Sequence, residues 1–221
     1  MRKTFMIICL CFICRLSMAY DNFKLKDGDL LFQDVNCGKF CDSIDGVTFG
    51  YKNTYVSHVA MVVDSDSGNI IEASTSGVHY TKLNNFLNAS VDKDGNPRVM
   101  VGRLNPKYHA LIPDAIKFAE SQIGKPYNVT FIPAHNQAFY CSELIANAFM
   151  YSSKDGKVIF STYPMTFKDS NTKQLLPLWN DYYKKLGVEV PEGVSGTNPG
   201  RMSRESGVLE IIHFYGNLRV H

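Results

Sequence analysis

Apolar and polar residues alternate in the first half of the chain as they do in β-strands. The segment at 57–63 has period two, DSDSG fills 64–68 as a turn, and 69–74 is a second short apolar run. This order predicts a β-hairpin with a five-residue loop. Further strands are predicted within 21–35 and over 77–83, 98–104 and 208–215.

Helical spacing replaces this alternation in the second half. Apolar residues from Leu111 to Ile123 recur at helical intervals, and the following glycine and proline end that helix. A second helix is predicted to begin near Cys141, and a third over 179–186. Residues 36–55 and 191–207 are predicted loops. These elements predict one α+β domain over 20–221.

The first nineteen residues are predicted to be a signal peptide. Met1-Arg2-Lys3 is positively charged, the run from Thr4 to Cys14 is apolar, and Ser17-Met18-Ala19 offers small residues for cleavage before Tyr20. The apolar run is shorter than the ~20 residues that span a bilayer. The mature chain is therefore expected to be periplasmic or extracellular, without stable membrane insertion.

Charge excludes some classes of partner. The chain has 23 basic and 21 acidic residues, and removal of Arg2, Lys3 and Arg15 leaves 20 against 21, a net charge of −1. A near-neutral chain without basic blocks is not expected to bind nucleic acid or anionic membranes. The composition, 45% hydrophobic and 20% charged, is that of a globular protein.

The cysteines leave one thiol without an obvious partner. After removal of the signal peptide three remain, of which Cys37 and Cys41 could pair locally, and Cys141 is then unpaired. Such a thiol in an exported protein is either buried and inert or kept for its reactivity. Cys141 begins a predicted helix, whose free N–H groups and positive dipole end favour a thiolate.

His58 and Glu72 in the hairpin are candidate partners for a nucleophilic cysteine. The loop predicts strand partners whose numbers sum to about 132, so that Ala60 opposes Glu72, and a slip by one pair opposes His58 to Glu72. Both registers put the two side chains on one face, about 5 Å or about 7–8 Å apart. At either distance the carboxylate can hold the second imidazole nitrogen. Ser74 and His79 are weaker candidates for this role.

Five blocks of the sequence resemble those of a known family. They occur in the order GDLLF, SHVAMVV, IIEAS, IGKPYN and FYCSELIANAF, and cover roughly residues 26–150. They are similar to the YiiX-like branch of the NlpC-type cysteine hydrolases. The histidine strand precedes the cysteine helix, as the permuted members of that superfamily require.

The resemblance implies a circularly permuted papain-like fold, with an antiparallel sheet or barrel packed against the nucleophile helix. It implies that Cys141 is the nucleophile, His58 the general base and Glu72 the residue that orients the imidazole. It also assigns Tyr127, fourteen residues before the cysteine, a hydroxyl near the reacting carbonyl. The backbone N–H of Cys141 is a second oxyanion donor.

The implied reaction is hydrolysis of an amide through a thioester, without metal or cofactor. The substrate is expected to be a small peptide or an acyl amide, and a cell-wall peptide is the first expectation by analogy.

Three alternatives remain open. Cys141, His58, Glu72 and His79 are all metal-ligand types, although their spacing matches no metal motif. Permuted acyltransferases of the lecithin-retinol type use the same thioester, with a histidine where this chain has Glu72. A non-catalytic binding domain on the same fold is the third, and the sequence leaves the oligomeric state open.

Overall fold

The computed structural model describes residues 23–221 except 37, 39, 40, 42, 45, 46, 48, 170 and 171. The predicted signal peptide at 1–19 lies outside these residues. The strands are β1 Leu30–Gln33, β2 His58–Asp64, β3 Asn69–Ser74, β4 Gly77–Lys82, β5 Val99–Leu104, β6 Tyr163–Pro164, β7 Ser195–Gly196 and β8 Leu209–Phe214. The α-helices are α1 Leu83–Ala89, α2 Ile112–Ser121, α3 Cys141–Ser152, α4 Pro177–Leu186 and α5 Pro199–Met202. Short 3₁₀ helices lie at Tyr51–Asn53 and Pro106–Leu111.

An antiparallel sheet organises the fold. Its six strands have the order β4-β3-β2-β1-β5-β8, and β6 and β7 pair separately. The sheet is open, with β4 and β8 at its edges, rather than closed into a barrel. Among the described residues, no helix has the length and apolar character needed to cross a bilayer.

The β2–β3 hairpin has the first of the two predicted registers. Met61 pairs with Ile71 and Val62 with Ile70, so partner numbers sum to 132, and a bulge follows before the turn. The turn is fixed by Asp64, whose carboxylate accepts a hydrogen bond from the backbone N–H of Ser67 at 3.0 Å. Continuing this register places Ala60 opposite Glu72 and His58 diagonal to it.

Two apolar layers cover the sheet. α2 and α3 pack on one face, where Met61, Ile145 and Phe149 are fully buried. Phe86 and Leu87 of α1 are buried in the cluster on the other face. The prediction missed α1, because its asparagine-rich sequence has low helix propensity and burial of these two side chains decides its conformation.

Gly77 brings the loop before Tyr127 against the sheet. It has a φ of +87°, and a Cβ atom there would lie 2.4 Å from the backbone oxygen of Lys125. The backbone N–H of Val78 donates to this oxygen, and the N–H of Gly124 donates to the backbone oxygen of Val78, both at 2.9 Å. The absence of a side chain at Gly77 therefore allows β4 to position the segment that carries Tyr127.

The region from 151 to 207 is more ordered than predicted. The predicted helix near 179–186 is present as α4, and Trp179 and Tyr183 pack with Phe167 in a separate apolar cluster. The predicted loop at 191–207 contains β7 and α5. Both are too short to show a period of alternation in the sequence.

Candidate active site

Cys141 is the first residue of α3 and is 5% exposed. The preceding Tyr140 is extended, and its backbone N–H donates to the carboxylate of Glu143 at 3.3 Å, which caps the helix start. Cys141 is the free cysteine of the described residues, whereas Cys41 is disulfide-bonded and Cys37 lies outside them. The helix start places the sulfur where unpaired N–H groups favour negative charge.

His58 links the cysteine to Glu72. Nε2 of His58 lies 2.6 Å from Oε2 of Glu72, and both side chains are largely buried. The side chain of Cys141 lies close enough to the imidazole to raise its pKa. Since Nε2 faces the carboxylate, Nδ1 is the nitrogen available to the sulfur. The structure therefore brings three of the predicted residues together around one imidazole.

Two neighbours on β4 fix the other oxygen of Glu72. The hydroxyl of Thr81 donates to Oε1 at 2.5 Å, and Nε2 of His79 lies 3.6 Å from the same atom. His79 stands directly opposite Glu72 in the β3–β4 register. Ser74 accepts a hydrogen bond from Ser76 within the adjoining turn instead, so the weaker candidate Ser74 holds neither His58 nor Glu72.

The contact between His58 and Glu72 shifts the pKa of both side chains. Burial lowers the pKa of His58, but hydrogen bonds and negative charge from Cys141 and Glu72 outweigh it and raise that pKa from 6.5 to about 10. Burial raises the pKa of Glu72, yet the hydrogen bond and charge of His58 and the bond from Thr81 lower it overall. The contact with Glu72 therefore favours the protonated form of His58.

Tyr127 lies in the same cleft as Cys141. Its segment runs beside the residues before α3, since Asn128 N–H donates to the oxygen of Phe139 at 3.0 Å. Burial first, and then the negative charge of Cys141, raises the pKa of Tyr127 well above 10. The phenol therefore stays protonated at neutral pH and can donate a hydrogen bond.

The cleft beside Cys141 has apolar and aromatic walls. It encloses about 790 Å³ of space, part of it continuous with solvent. Its apolar lining consists of Ile44, Val47, Phe131, Pro164, Met165, Phe167, Trp179 and Pro199, together with the rings of three tyrosines. A ligand that reaches the sulfur therefore lies against apolar surface.

One wall of the cleft is hydrogen-bonded to the start of α3. The backbone N–H of Thr197 donates to the hydroxyl of Tyr140 at 3.1 Å, and its hydroxyl donates to that of Ser142 at 3.0 Å. Gly196 lies so close that a Cβ atom would be 3.0 Å from the Tyr140 hydroxyl. The segment after β7 is thus held in a fixed position beside Cys141.

Comparison with known proteins identifies the family. A family model described as "Permuted papain-like amidase enzyme, YaeF/YiiX, C92 family" matches residues 24–213. The chain belongs to this C92 family. Its members are papain-like cysteine amidases or peptidases, so the protein is a cysteine hydrolase by family. No curated protein matches the chain.

The structural comparison agrees on the fold. The chain is similar to a crystal structure of "metalloprotein yiiX from Escherichia coli O157:H7", with 19% identity and a TM-score of 0.66. The match covers 87% of this chain and 98% of that chain. At this identity the similarity shows the fold alone, and the predicted permuted papain-like fold is confirmed.

The E. coli protein is described as a metalloprotein. In the described part of the present C92 chain, no three His, Cys, Asp or Glu side chains are arranged to hold a metal ion. The described residues do not fit a metal centre, and no step of the reaction is assigned to one.

Sequence reasoning missed Thr81 and most of the cleft. Thr81 and His79 lie two positions apart on β4, on the same face as Glu72. Period-two spacing could therefore have identified both as neighbours of Glu72. Much of the cleft wall comes from residues 163–167 and 196–201, which show no periodicity in the sequence.

Proposed function

We propose that the protein hydrolyses an amide bond through a thioester formed on Cys141. His58 is the general base and acid, Glu72 holds the imidazole, and Tyr127 donates to the oxyanion. The observation that carries this proposal is the His58–Glu72 hydrogen bond beside Cys141, whose side chain lines a largely apolar cleft.

The proposed reaction starts from the form of the pair in which the thiol proton is on Nδ1 of His58. The sulfur attacks the amide carbon, and the negative charge that develops on the carbonyl oxygen accepts hydrogen bonds from Tyr127 and backbone N–H groups at the start of α3. The C–N bond then breaks as His58 gives its proton to the departing amine. Water, deprotonated by His58, attacks the thioester and breaks the C–S bond, which releases a carboxylic acid and regenerates the thiol.

The cleft supports an apolar substrate. Beside a few polar side chains such as Ser57, Thr166 and Asn198, its lining is aromatic and aliphatic. It therefore offers few partners to the polar groups of a cell-wall peptide, and each group left without one costs free energy. Burial of an acyl chain, by contrast, contributes about 0.8 kcal/mol per methylene. We therefore favour an amide with an apolar acyl group over the cell-wall peptide expected by analogy.

The N-terminal segment bears on where the protein is located. The positively charged start, short apolar run and small residues before Tyr20 support export and removal of residues 1–19. We propose that the mature enzyme works outside the cytoplasm.

The test is turnover of matched fluorogenic amides by the mature chain. We expect release of the amine from a dodecanoyl amide to exceed that from an alanyl-glutamyl amide, and an acid quench to trap a dodecanoyl thioester on Cys141 by mass spectrometry. Cys141→Ala and His58→Ala should abolish both signals, whereas His135→Ala, at an exposed histidine outside this cleft, should leave them unchanged. Turnover by Cys141→Ala would contradict the proposal, and an ester product in added alcohol would indicate acyl transfer instead.

A further inference from the structure

Arg201 brings a positive charge to the otherwise uncharged cleft. It belongs to α5, is exposed, and lines the cleft that contains Cys141. Among the described residues that line this cleft, it is the only arginine, lysine, aspartate or glutamate. The position of this charge therefore matters for any substrate that enters.

The side chain of Arg201 is held in a defined orientation. Its guanidinium carbon lies 3.5 Å from the centroid of the Tyr163 ring, and the Tyr163 hydroxyl donates to Glu205 at 3.1 Å. The backbone N–H of Arg201 donates to the side chain of Asn198 at 2.7 Å. Stacking on the ring orients the planar guanidinium and leaves its edge available for hydrogen bonds.

No salt bridge within the described residues neutralises the charge of Arg201. Arg103 and Arg219 each form a salt bridge with a buried aspartate, at 2.7 and 2.5 Å. Arg201 forms no such salt bridge with a carboxylate of the described residues. Burial raises the pKa of Glu205, and the positive charge of Arg201 opposes this rise. The carboxylate oxygens of Glu205 accept hydrogen bonds from Ser161 and Tyr163.

We infer that Arg201 binds an anionic oxygen group of the substrate, and this inference rests on the proposed function. A guanidinium edge pairs with two oxygens of a carboxylate or a phosphate in a fixed geometry. Together with the apolar walls, it selects an amphiphile that carries both an apolar group and an anion near the scissile amide. Arg201 is thus a specificity-determining residue.

The test measures alkylation of Cys141, which requires no knowledge of the natural substrate. N-iodoacetyl-leucine carries an apolar side chain and a carboxylate, whereas N-iodoacetyl-leucinamide is its neutral match. We would measure the second-order labelling rates of both by mass spectrometry in the wild type, Arg201→Gln and Arg204→Gln. Arg204 is exposed on the same segment but does not line the cleft, so its variant controls for net charge.

We expect Arg201→Gln to lower the ratio of anionic to neutral rates by roughly fivefold, the effect of one exposed ion pair. Arg204→Gln should leave the ratio unchanged. The same ratio is measured for a phosphate reagent, N-iodoacetyl-phosphoethanolamine, against N-iodoacetyl-ethanolamine. The comparison shows whether the ratio for the carboxylate or for the phosphate falls further in Arg201→Gln. If Cys141 reacts but the ratios are equal in all three proteins, the inference is overturned and the proposed function stands. If neither reagent labels native Cys141, the proposed function fails and this inference fails with it.

Discussion

Nε2 of His58 and Oε2 of Glu72 lie 2.6 Å apart although the two residues are diagonal, not opposite, in the hairpin register. The diagonal is spanned because both side chains reach toward each other on one face. This geometry holds the imidazole by one nitrogen and leaves the other for Cys141. The contact between two strands thus determines how the base approaches the sulfur at the start of the helix.

Replacement of Glu72 by glutamine tests the charge in this contact. Because the carboxylate helps to raise the pKa of His58, we expect Glu72→Gln to lower that pKa by about one unit or more, worth about 1.4 kcal/mol per unit. Amide turnover should fall by roughly 10²-fold or more. NMR titration of the imidazole measures the first effect. Ser74→Ala, on the same strand, should change neither, and an unaltered titration in Glu72→Gln would contradict the assignment.

Much of this site was predictable because it depends on local rules. Period-two alternation and the turn sequence place His58 and Glu72 on one face in either predicted register, and the structure has the diagonal one. The cleft was not predictable. Phe131, Met165 and Trp179 come from separate segments and meet only through long-range packing. The proposed role of Arg201 likewise depends on a cleft wall that no periodicity in the sequence predicts.

Tyr127 is expected to act on the oxyanion and not on the thiol. Tyr127→Phe removes the hydroxyl that is proposed to donate to the carbonyl oxygen, so turnover should fall by about 10²-fold. The rate of Cys141 alkylation should change less than about twofold, because the imidazole and helix start are untouched. Steady-state kinetics and alkylation of the same preparation check this. An equal loss in both measurements would show instead that Tyr127 shapes the nucleophile.

Gly77 and Gly124 form a matched pair for testing how Tyr127 is positioned. Both have a φ of +87°, but a Cβ atom at Gly77 would meet Lys125 at 2.4 Å, whereas one at Gly124 has nothing within 4 Å. We expect Gly124→Ala to cost about 1 kcal/mol of unfolding free energy, from the left-handed backbone alone. Gly77→Ala should cost at least about 2 kcal/mol and also reduce turnover. Urea unfolding and kinetics measure both, and equal effects would refute the close-approach argument.

The His58–Glu72 pair should also make stability depend on pH. A histidine whose folded pKa is raised contributes stability that is fully present below about pH 6.5 and is lost as pH rises through about 10. Glu72, with a lowered pKa, contributes above its ordinary value of 4.5 and loses its contribution as pH falls through the folded value. The stability difference between wild type and His58→Asn, measured by urea unfolding, should therefore shrink from pH 6 to pH 10. A constant difference would contradict the raised pKa.

Cys141 and His58 are proposed to form a reactive pair, on which every other role in the site depends. Alkylation of the mature protein with labelled iodoacetamide from pH 4 to 9, with peptide mapping of the label, measures this reactivity. At pH 6 an ordinary thiol, with a pKa of about 8.5, is almost fully protonated and reacts slowly. We expect Cys141 to react rapidly at that pH in the wild type, and His58→Ala to abolish this reactivity while His135→Ala preserves it. If Cys141 is labelled only after denaturation, it is a buried, inert thiol, and the proposed chemistry of the site is wrong.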